Sequence, residues 1–371
     1  MKCNCQYCQN GEYDSSDFFV DMSFLGKERP VGVSGLLRVK NEEDFLSQCI
    51  DSCIDALDEL VIVYQPSEDR TPQIIEAKRQ QYPDKVRVYF YQPKVFSHNL
   101  TAKELEYAQS LPRTSIHLLS NYYNYTLSKA TYRYVVKIDA DQIYFPQKLQ
   151  SICDAYRSQY VQKITLSEKI AYWSVNLYNK LSIHFPSFFP LSLWEHSWSR
   201  KVVSVCERYV LKYVGRHKKM LAVSGINLFR DTSGWSVCLG GRSLVLPPFN
   251  GVGDTLFFEP SPKTYFVPFK LPHVGADGRY AFSYIEILKK PKQRILYGGF
   301  LWYHLAALKS QLRKRNEILY KGWTAPLKLF LVRPFSTWKV SGLFHVMKPY
   351  YIAFFESEKN SIPTDILPKD M

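Results

Sequence analysis

The chain has 371 residues, 46% of them apolar, and a formal net charge of +14. That size allows one large domain with an appendage or two modest domains, and the charge draws anionic partners such as nucleotide phosphates, acidic headgroups or nucleic acid without choosing among them. No apolar run reaches the roughly 18 residues of a spanning helix, the start lacks the apolar segment of a secretory signal, and eight scattered cysteines form no dense disulfide framework, so a reducing, cytoplasmic setting is expected.

Residues 1–28 show no periodicity and read as an extension; Cys3, Cys5 and Cys8 could form part of a metal site, but no fourth ligand sits at a recognisable spacing, and a loose segment is the preferred reading. From Val31 strands and helices alternate. Val31–Leu37 reads as a buried strand. Asn41 then reads as an N-cap, with Glu42, Glu43 and Asp44 in the first helical turn, where the dipole favours negative charge. Phe45, Leu46, Cys49, Ile50, Cys53, Ile54 and Leu57 follow at helical spacing. Leu60–Tyr64 is a second strand, Thr71-Pro72 opens a helix, and Val86–Tyr91 is a third strand. A helix over about 115–130 leads into a fourth strand, Tyr134–Ile138. This alternation predicts an α/β fold with a mainly parallel sheet covered by helices. Residues 165–220 are aromatic and basic without a clear period, and from about Ile285 the chain reads as helical and basic.

The sharpest feature is Asp139-Ala140-Asp141, two carboxylates directly after an apolar strand. Oxygen donors at a strand end suit Mn²⁺ or Mg²⁺, which bind through one or two carboxylates plus substrate phosphates. Taken alone, such a pair is more often a solvated turn that ends a strand. Two further blocks accompany it: Gly35-Leu36-Leu37-Arg38-Val39-Lys40-Asn41-Glu42-Glu43, and Ile62-Val63-Tyr64-Gln65-Pro66-Ser67-Glu68-Asp69-Arg70-Thr71. Together with Asn124, Ala130, Tyr134, Asp139 and Asp141 in order, they resemble the family-2-like GT-A glycosyltransferases over roughly 31–145, as a divergent bacterial member. Tyr64 and Gln65 stand where that family carries paired acids, and Thr126 and Tyr132 replace its glycines.

The resemblance implies a Rossmann-like GT-A domain over 29–275, with a nucleotide-sugar half at about 29–145, an acceptor half at about 146–275, and a basic helical region over 276–371. It implies that Arg38, Asn41, Glu42, Gln65, Asp69 and Asp139 meet a nucleoside diphosphate sugar, UDP-linked, while Asp139 and Asp141 hold Mn²⁺ or Mg²⁺. Ser224–Arg230 and Gly251–Glu259 resemble the family's acceptor-side motifs, which makes Asp254 the expected catalytic base of an inverting transfer, with Glu259 in reserve. His273 is the preferred late metal ligand and His304 the second choice. The expected acceptor is a glycan or lipid-linked glycan of surface polysaccharide or lipopolysaccharide synthesis. The basic, aromatic stretch 285–355, including Leu327–Arg333 and Tyr350–Phe355, is the expected contact with an anionic membrane surface at the inner face of the plasma membrane. Nucleic acid is not an expected partner, since no nucleic-acid motif accompanies the charge. A nonenzymatic nucleic-acid binder and an inactive GT-A-like binding protein are the alternatives.

Overall fold

The computed structural model describes all residues except 1, 2, 4, 10–12, 99, 232–233, 241–247, 251–255, 275–279, 293–294, 311–321, 341–347 and 369–371. Thirteen strands occur among the described residues: β1 Val33–Val39, β2 Glu59–Tyr64, β3 Val86–Phe90, β4 Tyr134–Ile138, β5 Gln142–Tyr144, β6 Leu221–Asp231, β7 Gly234–Cys238, β8 Phe249–Asn250, β9 Leu256–Phe258, β10 Tyr265–Val274, β11 Tyr280–Lys289, β12 Leu296–His304 and β13 Thr324–Pro326. The chain forms two compact units that interleave in sequence. One comprises Met1–Glu43, Asp58–Ile138 and Glu259–Gln293; the other comprises Asp44–Leu57, Asp139–Phe258 and Arg294–Met371.

The first unit is built on four parallel strands in the order β3-β2-β1-β4. Leu37 sits in register with Ile62 on one side and Ile138 on the other. Apart from Arg38 and Tyr64, β1 and β2 are buried along their lengths, as a parallel sheet covered on both faces requires. The helix Leu119–Ser128 lies against β1 and β2, and its Tyr122 hydroxyl donates to the Val63 carbonyl at 2.6 Å. Asn124 on the same helix grips β10 through two bonds of 2.9 Å to the Phe266 backbone. β10 and β11 form an antiparallel hairpin.

The first correction lies in this unit. The N-terminal segment is not loose: Phe18 packs on Tyr91 at 5.1 Å, Tyr7 on Phe96 at 5.3 Å, and the Cys3 amide donates to Ser15 Oγ at 2.8 Å. Aromatic packing holds it in place of helical or strand periodicity, so a search for periods could not see it.

The second unit centres on β12, which runs parallel to β6 and antiparallel to β5; β6 also pairs antiparallel with β7, β8 and β9, and β13 with β7. The helices Pro146–Arg157, Leu166–His184, Ser197–His217 and Lys348–Glu358 complete it. An aromatic core surrounds Phe249, whose ring lies 4.7–5.6 Å from Phe300, Phe335, Tyr351 and Phe355. Gly225 is required on β6 because a Cβ there would run into the Trp302 indole.

Three expectations change here. The reading of helix from Ile285 fails for β11 and β12; β12 is buried on both faces at Phe300–Tyr303, and a continuous apolar run does not separate a central strand from a buried helix. The unreadable stretch 165–220 is two long helices, the first opened by a Thr165–Glu168 capping box. Tyr351–Phe355 is core, at most 4% exposed, and so does not offer a membrane surface. Among the described residues, no helix is long and apolar enough to cross a membrane.

Behind β12, Glu358 accepts from the Phe300 amide at 3.0 Å and from Lys148 Nζ at 2.7 Å. Burial, then the neighbouring Glu358 charge, pushes the Glu207 carboxyl up from 4.5 to about 8. The folded protein therefore keeps a proton that the unfolded chain releases, and stability falls as pH rises between those two values. Glu207→Gln should remove this slope and raise the urea midpoint at about pH 7.5 relative to wild type. Denaturation curves across that pH range test it, and an unchanged slope in the variant contradicts it.

Candidate functional site: two laced loops and an acid pair

In the first unit the chain leaves β1 and β2 at their carboxyl ends, the edge where open α/β sheets bind ligands. The two loops that follow are tied by side chains reaching across to backbone. The Asn41 amide donates to Ser67 Oγ at 3.1 Å, and the Glu68 amide returns a bond to Asn41 Oδ1 at 2.9 Å. Glu42 N donates to Thr71 Oγ1 at 2.8 Å, Glu43 N to Asp69 Oδ2 at 3.1 Å, and Thr71 N to Asp69 Oδ1 at 3.0 Å. Glu43 Oε2 accepts from both the Arg70 amide and its Nε at 3.1 Å.

Asn41 is therefore not the helix cap expected. It sits at φ 54°, in the left-handed region that asparagine tolerates better than most residues. The helix starts at Leu46 and has no acid in its first turn, so Glu42 has no dipole role either. The competing principle is loop closure: Asn41 satisfies the backbone of a second loop instead of that of its own helix.

Arg38 stacks its guanidinium over Tyr123, 3.7 Å from the ring centre. Gln65 is buried and donates from Nε2 to the Pro93 carbonyl at 3.3 Å. Burial works against ionised Asp69, but the bonds from Thr71 and Glu43 outweigh it and hold its carboxyl below the ordinary range.

In the second unit Asp139 and Asp141 open the turn before β5. The Asp139 amide donates to Tyr144 Oη at 3.3 Å, its carbonyl accepts from Cys49 Sγ at 3.2 Å, and its Oδ2 accepts from Gln142 Nε2 at 3.3 Å. Asp141 is 8% exposed. Its Oδ2 lies 2.9 Å from Lys309 Nζ and its Oδ1 3.6 Å from His304 Nε2. Burial would raise the Asp141 carboxyl, yet His304 and Lys309 together hold it below the ordinary range.

Strand register explains His304. It pairs with Gln142 across the antiparallel β5–β12 ladder and with Asn227 across the parallel β12–β6 ladder. His304 Nδ1 and Asn227 Oδ1 are 2.8 Å apart, so Nδ1 donates to Asn227 and the ring is held with its Nε2 edge toward Asp141. Asn227 belongs to the Ser224–Arg230 block, so that block supports an imidazole at this point.

The histidine beside the acid pair is thus His304. His273 lies on β10, and its side chain is outside the described residues, as is all of Asp254. Glu259 is half-exposed and paired with Arg133 Nε at 2.9 Å. Lys309 was missed; only its place five residues after His304, in a segment read as helix, could have drawn attention.

The donor set is compatible with a divalent cation. One Asp141 oxygen and one imidazole nitrogen, 3.6 Å apart, suit two positions of a shell completed by phosphate oxygens and water.

Residues 36–94 match the family described as glycosyl transferase family 2. No curated protein matches the chain. Solved structures that resemble it include glucosyl-3-phosphoglycerate synthase from Mycobacterium tuberculosis in complex with Mn²⁺, UDP and phosphoglyceric acid, at 20% identity over 38% of this chain and 44% of that one, with a TM-score of 0.23. Staphylococcus aureus TarS 1–349 matches at 19% identity over 33% of this chain and 32% of that one, also with a TM-score of 0.23. The chain thus spans less than half of either structure.

The family-2 segment contains Arg38, Asn41, Glu42, Gln65 and Asp69, and the whole lacing between the two loops. Asp69→Ala leaves the Glu43 and Thr71 amides without acceptors, a loss on the order of 1–2 kcal/mol, or about five- to thirtyfold faster exchange of those two amides. In wild type the bonds persist until pH falls below the usual carboxylate value of 3.8, because a depressed carboxyl loses its contribution only on protonation. Amide hydrogen exchange tests both statements; unchanged protection in the variant contradicts the lacing.

Proposed function

We propose that the chain is a metal-dependent glycosyltransferase that moves a sugar from a nucleoside diphosphate sugar, UDP-linked, to a glycan or lipid-linked acceptor with inversion. The observation that carries this reading is Asp141, a buried carboxylate faced by His304 and Lys309 directly after the fourth strand of a chain with a family-2 segment. Mn²⁺ or Mg²⁺ bound by Asp139, Asp141 and His304 would supply positive charge for the departing diphosphate.

The protein's own groups account for the remaining steps. The laced loops present Arg38, Asn41, Glu42, Gln65 and Asp69 to the nucleotide as a rigid edge, so little ordering is left to binding. Asn227 holds the His304 ring in orientation, and Lys309 adds a second cation that the diphosphate can approach. Asp254 takes the proton from the acceptor hydroxyl as that oxygen attacks the anomeric carbon.

A lipid-linked acceptor is supported by the helix Leu166–His184. Leu166, Ile170, Trp173 and Leu177 are 73%, 56%, 74% and 57% exposed, and their spacing places them on one stripe. Lys169 and Lys180 are exposed on the same helix. An apolar stripe with basic neighbours suits the interfacial plane of an anionic membrane, and this helix takes the place of the buried segment Tyr351–Phe355 as the membrane contact. The pathway assigned is surface polysaccharide or lipopolysaccharide synthesis.

Asp141→Ala and His304→Ala should each cut Mn²⁺-dependent donor turnover by about a hundredfold or more, with the thermal transition retained. Turnover of a panel of nucleotide sugars measures this; full activity in both variants sinks the assignment. Trp173 emission should shift to the blue on vesicles rich in phosphatidylglycerol, and Trp173→Glu should abolish sedimentation with them. Equal sedimentation of both proteins would leave the stripe without a membrane role.

A further inference from the structure

We propose that Cys3, Cys5, Cys8 and His117 form a closed structural zinc site within the first unit. Their four ligand atoms lie within 4.8 Å of one another. His117 Nε2 is 3.1 Å from Cys5 Sγ, 3.3 Å from Cys8 Sγ and 3.9 Å from Cys3 Sγ. Zinc bonds of the usual lengths arranged tetrahedrally would place nitrogen and sulfur about 3.6 Å apart, inside this range.

Hydrogen bonding alone does not account for the cluster. His117 Nδ1 is 2.7 Å from the Lys94 carbonyl, an acceptor only, so Nδ1 carries the proton and Nε2 presents a lone pair. One lone pair accepts one S–H, yet three sulfurs converge on it. A metal ion satisfies all three sulfurs and the nitrogen at once. The Nδ1–carbonyl bond is also the outer-shell partner that zinc-bound histidines commonly have.

The surroundings are built to hold the ligands. Cys5 and Cys8 are separated by two residues, a spacing common in zinc sites, and the Cys8 and Gln9 amides both donate to the Cys5 carbonyl at 3.0 Å. His117 is fully buried, and its carbonyl accepts from the Phe96 amide at 2.9 Å. Tyr7 packs beside Phe96, Tyr107 and His117. Tyr13 Oη approaches Cys8 Sγ at 3.7 Å. All three cysteines are free of disulfides.

Three sulfurs and one imidazole select zinc over the hard cations suited to Asp139 and Asp141. Four protein ligands leave no open position, so the role is structural. The ion would staple residues 3–8 to the segment just ahead of the helix Leu119–Ser128. That helix reaches the sheet through the bond from Tyr122 to Val63, and Asn121 Nδ2 donates to Tyr91 Oη at 3.1 Å.

The test uses the full chain purified without added metal. Elemental analysis should find about one zinc per chain, and exchange into Co²⁺ should give the intense visible bands of a tetrahedral thiolate complex. Cys8→Ser and His117→Ala should each lower zinc at least tenfold, whereas Asp141→Ala should retain it. Should the first two variants fail to fold, the wild-type cobalt spectrum still decides. Absence of zinc together with no thiolate-cobalt bands overturns the proposal. So does loss of the zinc in folded Asp141→Ala, which would assign the ion to the carboxylates.

Discussion

A polar edge at the end of a buried parallel sheet has to be held open and still at once. The strands β1 and β2 supply the rigidity, since almost every side chain along them is buried. Their loops cannot bury apolar surface in the same way, so their backbone amides must find acceptors elsewhere. Asn41, Ser67, Asp69 and Thr71 supply those acceptors across the gap between the loops. The arrangement is reciprocal: each loop completes the other's hydrogen bonds, so neither keeps its shape alone. This is the physical reason for the short polar residues in the block Gln65–Thr71, and it makes the left-handed Asn41 tolerable.

The acid pair is organised by a different device. Asp141 is too buried to stay ionised unaided, and the sheet register places a histidine and a lysine within reach of its two oxygens. Gln142, His304 and Asn227 stand in one row across β5, β12 and β6. A slip of one residue in β12 would turn His304 to the opposite face of the sheet and leave Asp141 with Lys309 alone. The buried aromatic residues of β12 therefore act on the chemistry indirectly, by fixing that register.

The legibility of the sequence follows from these two devices. The strands β1 to β4 could be read because each is a short apolar run bounded by turn residues, and Tyr134–Ile138 was placed to the residue. Asp139 and Asp141 stood out because carboxylates directly after such a strand are chemically conspicuous. Asn41 was misread because a capping residue and a loop-bridging residue look identical in one dimension. The helix Leu166–His184 was unreadable because it is apolar on two faces: Ala171, Tyr172 and Val175 are buried, while Ile170, Trp173 and Leu177 face out. That leaves no polar stripe to reveal a period. His304 stands second to His273 in the sequence; its own strand β12 reads there as helix, and no helical reading brings it to Gln142 and Asn227.

The cysteines illustrate the same limit from the opposite side. A zinc ligand set distributed as three residues within six and a fourth more than a hundred positions later has no one-dimensional signature. The bridge between Phe96 and Leu118 holds His117 in place, and the packing of Tyr7 on Phe96 and His117 brings the cysteines to it. The segment that carries the thiols is short and has few apolar groups of its own. Rings such as Tyr7 and Phe18 and a few hydrogen bonds dock it, and a bound ion at residues 3–8 would add to them. The two metal chemistries are then separated by ligand type within one chain: sulfur and nitrogen where the ion must stay, oxygen and a single imidazole where it must also meet a phosphate.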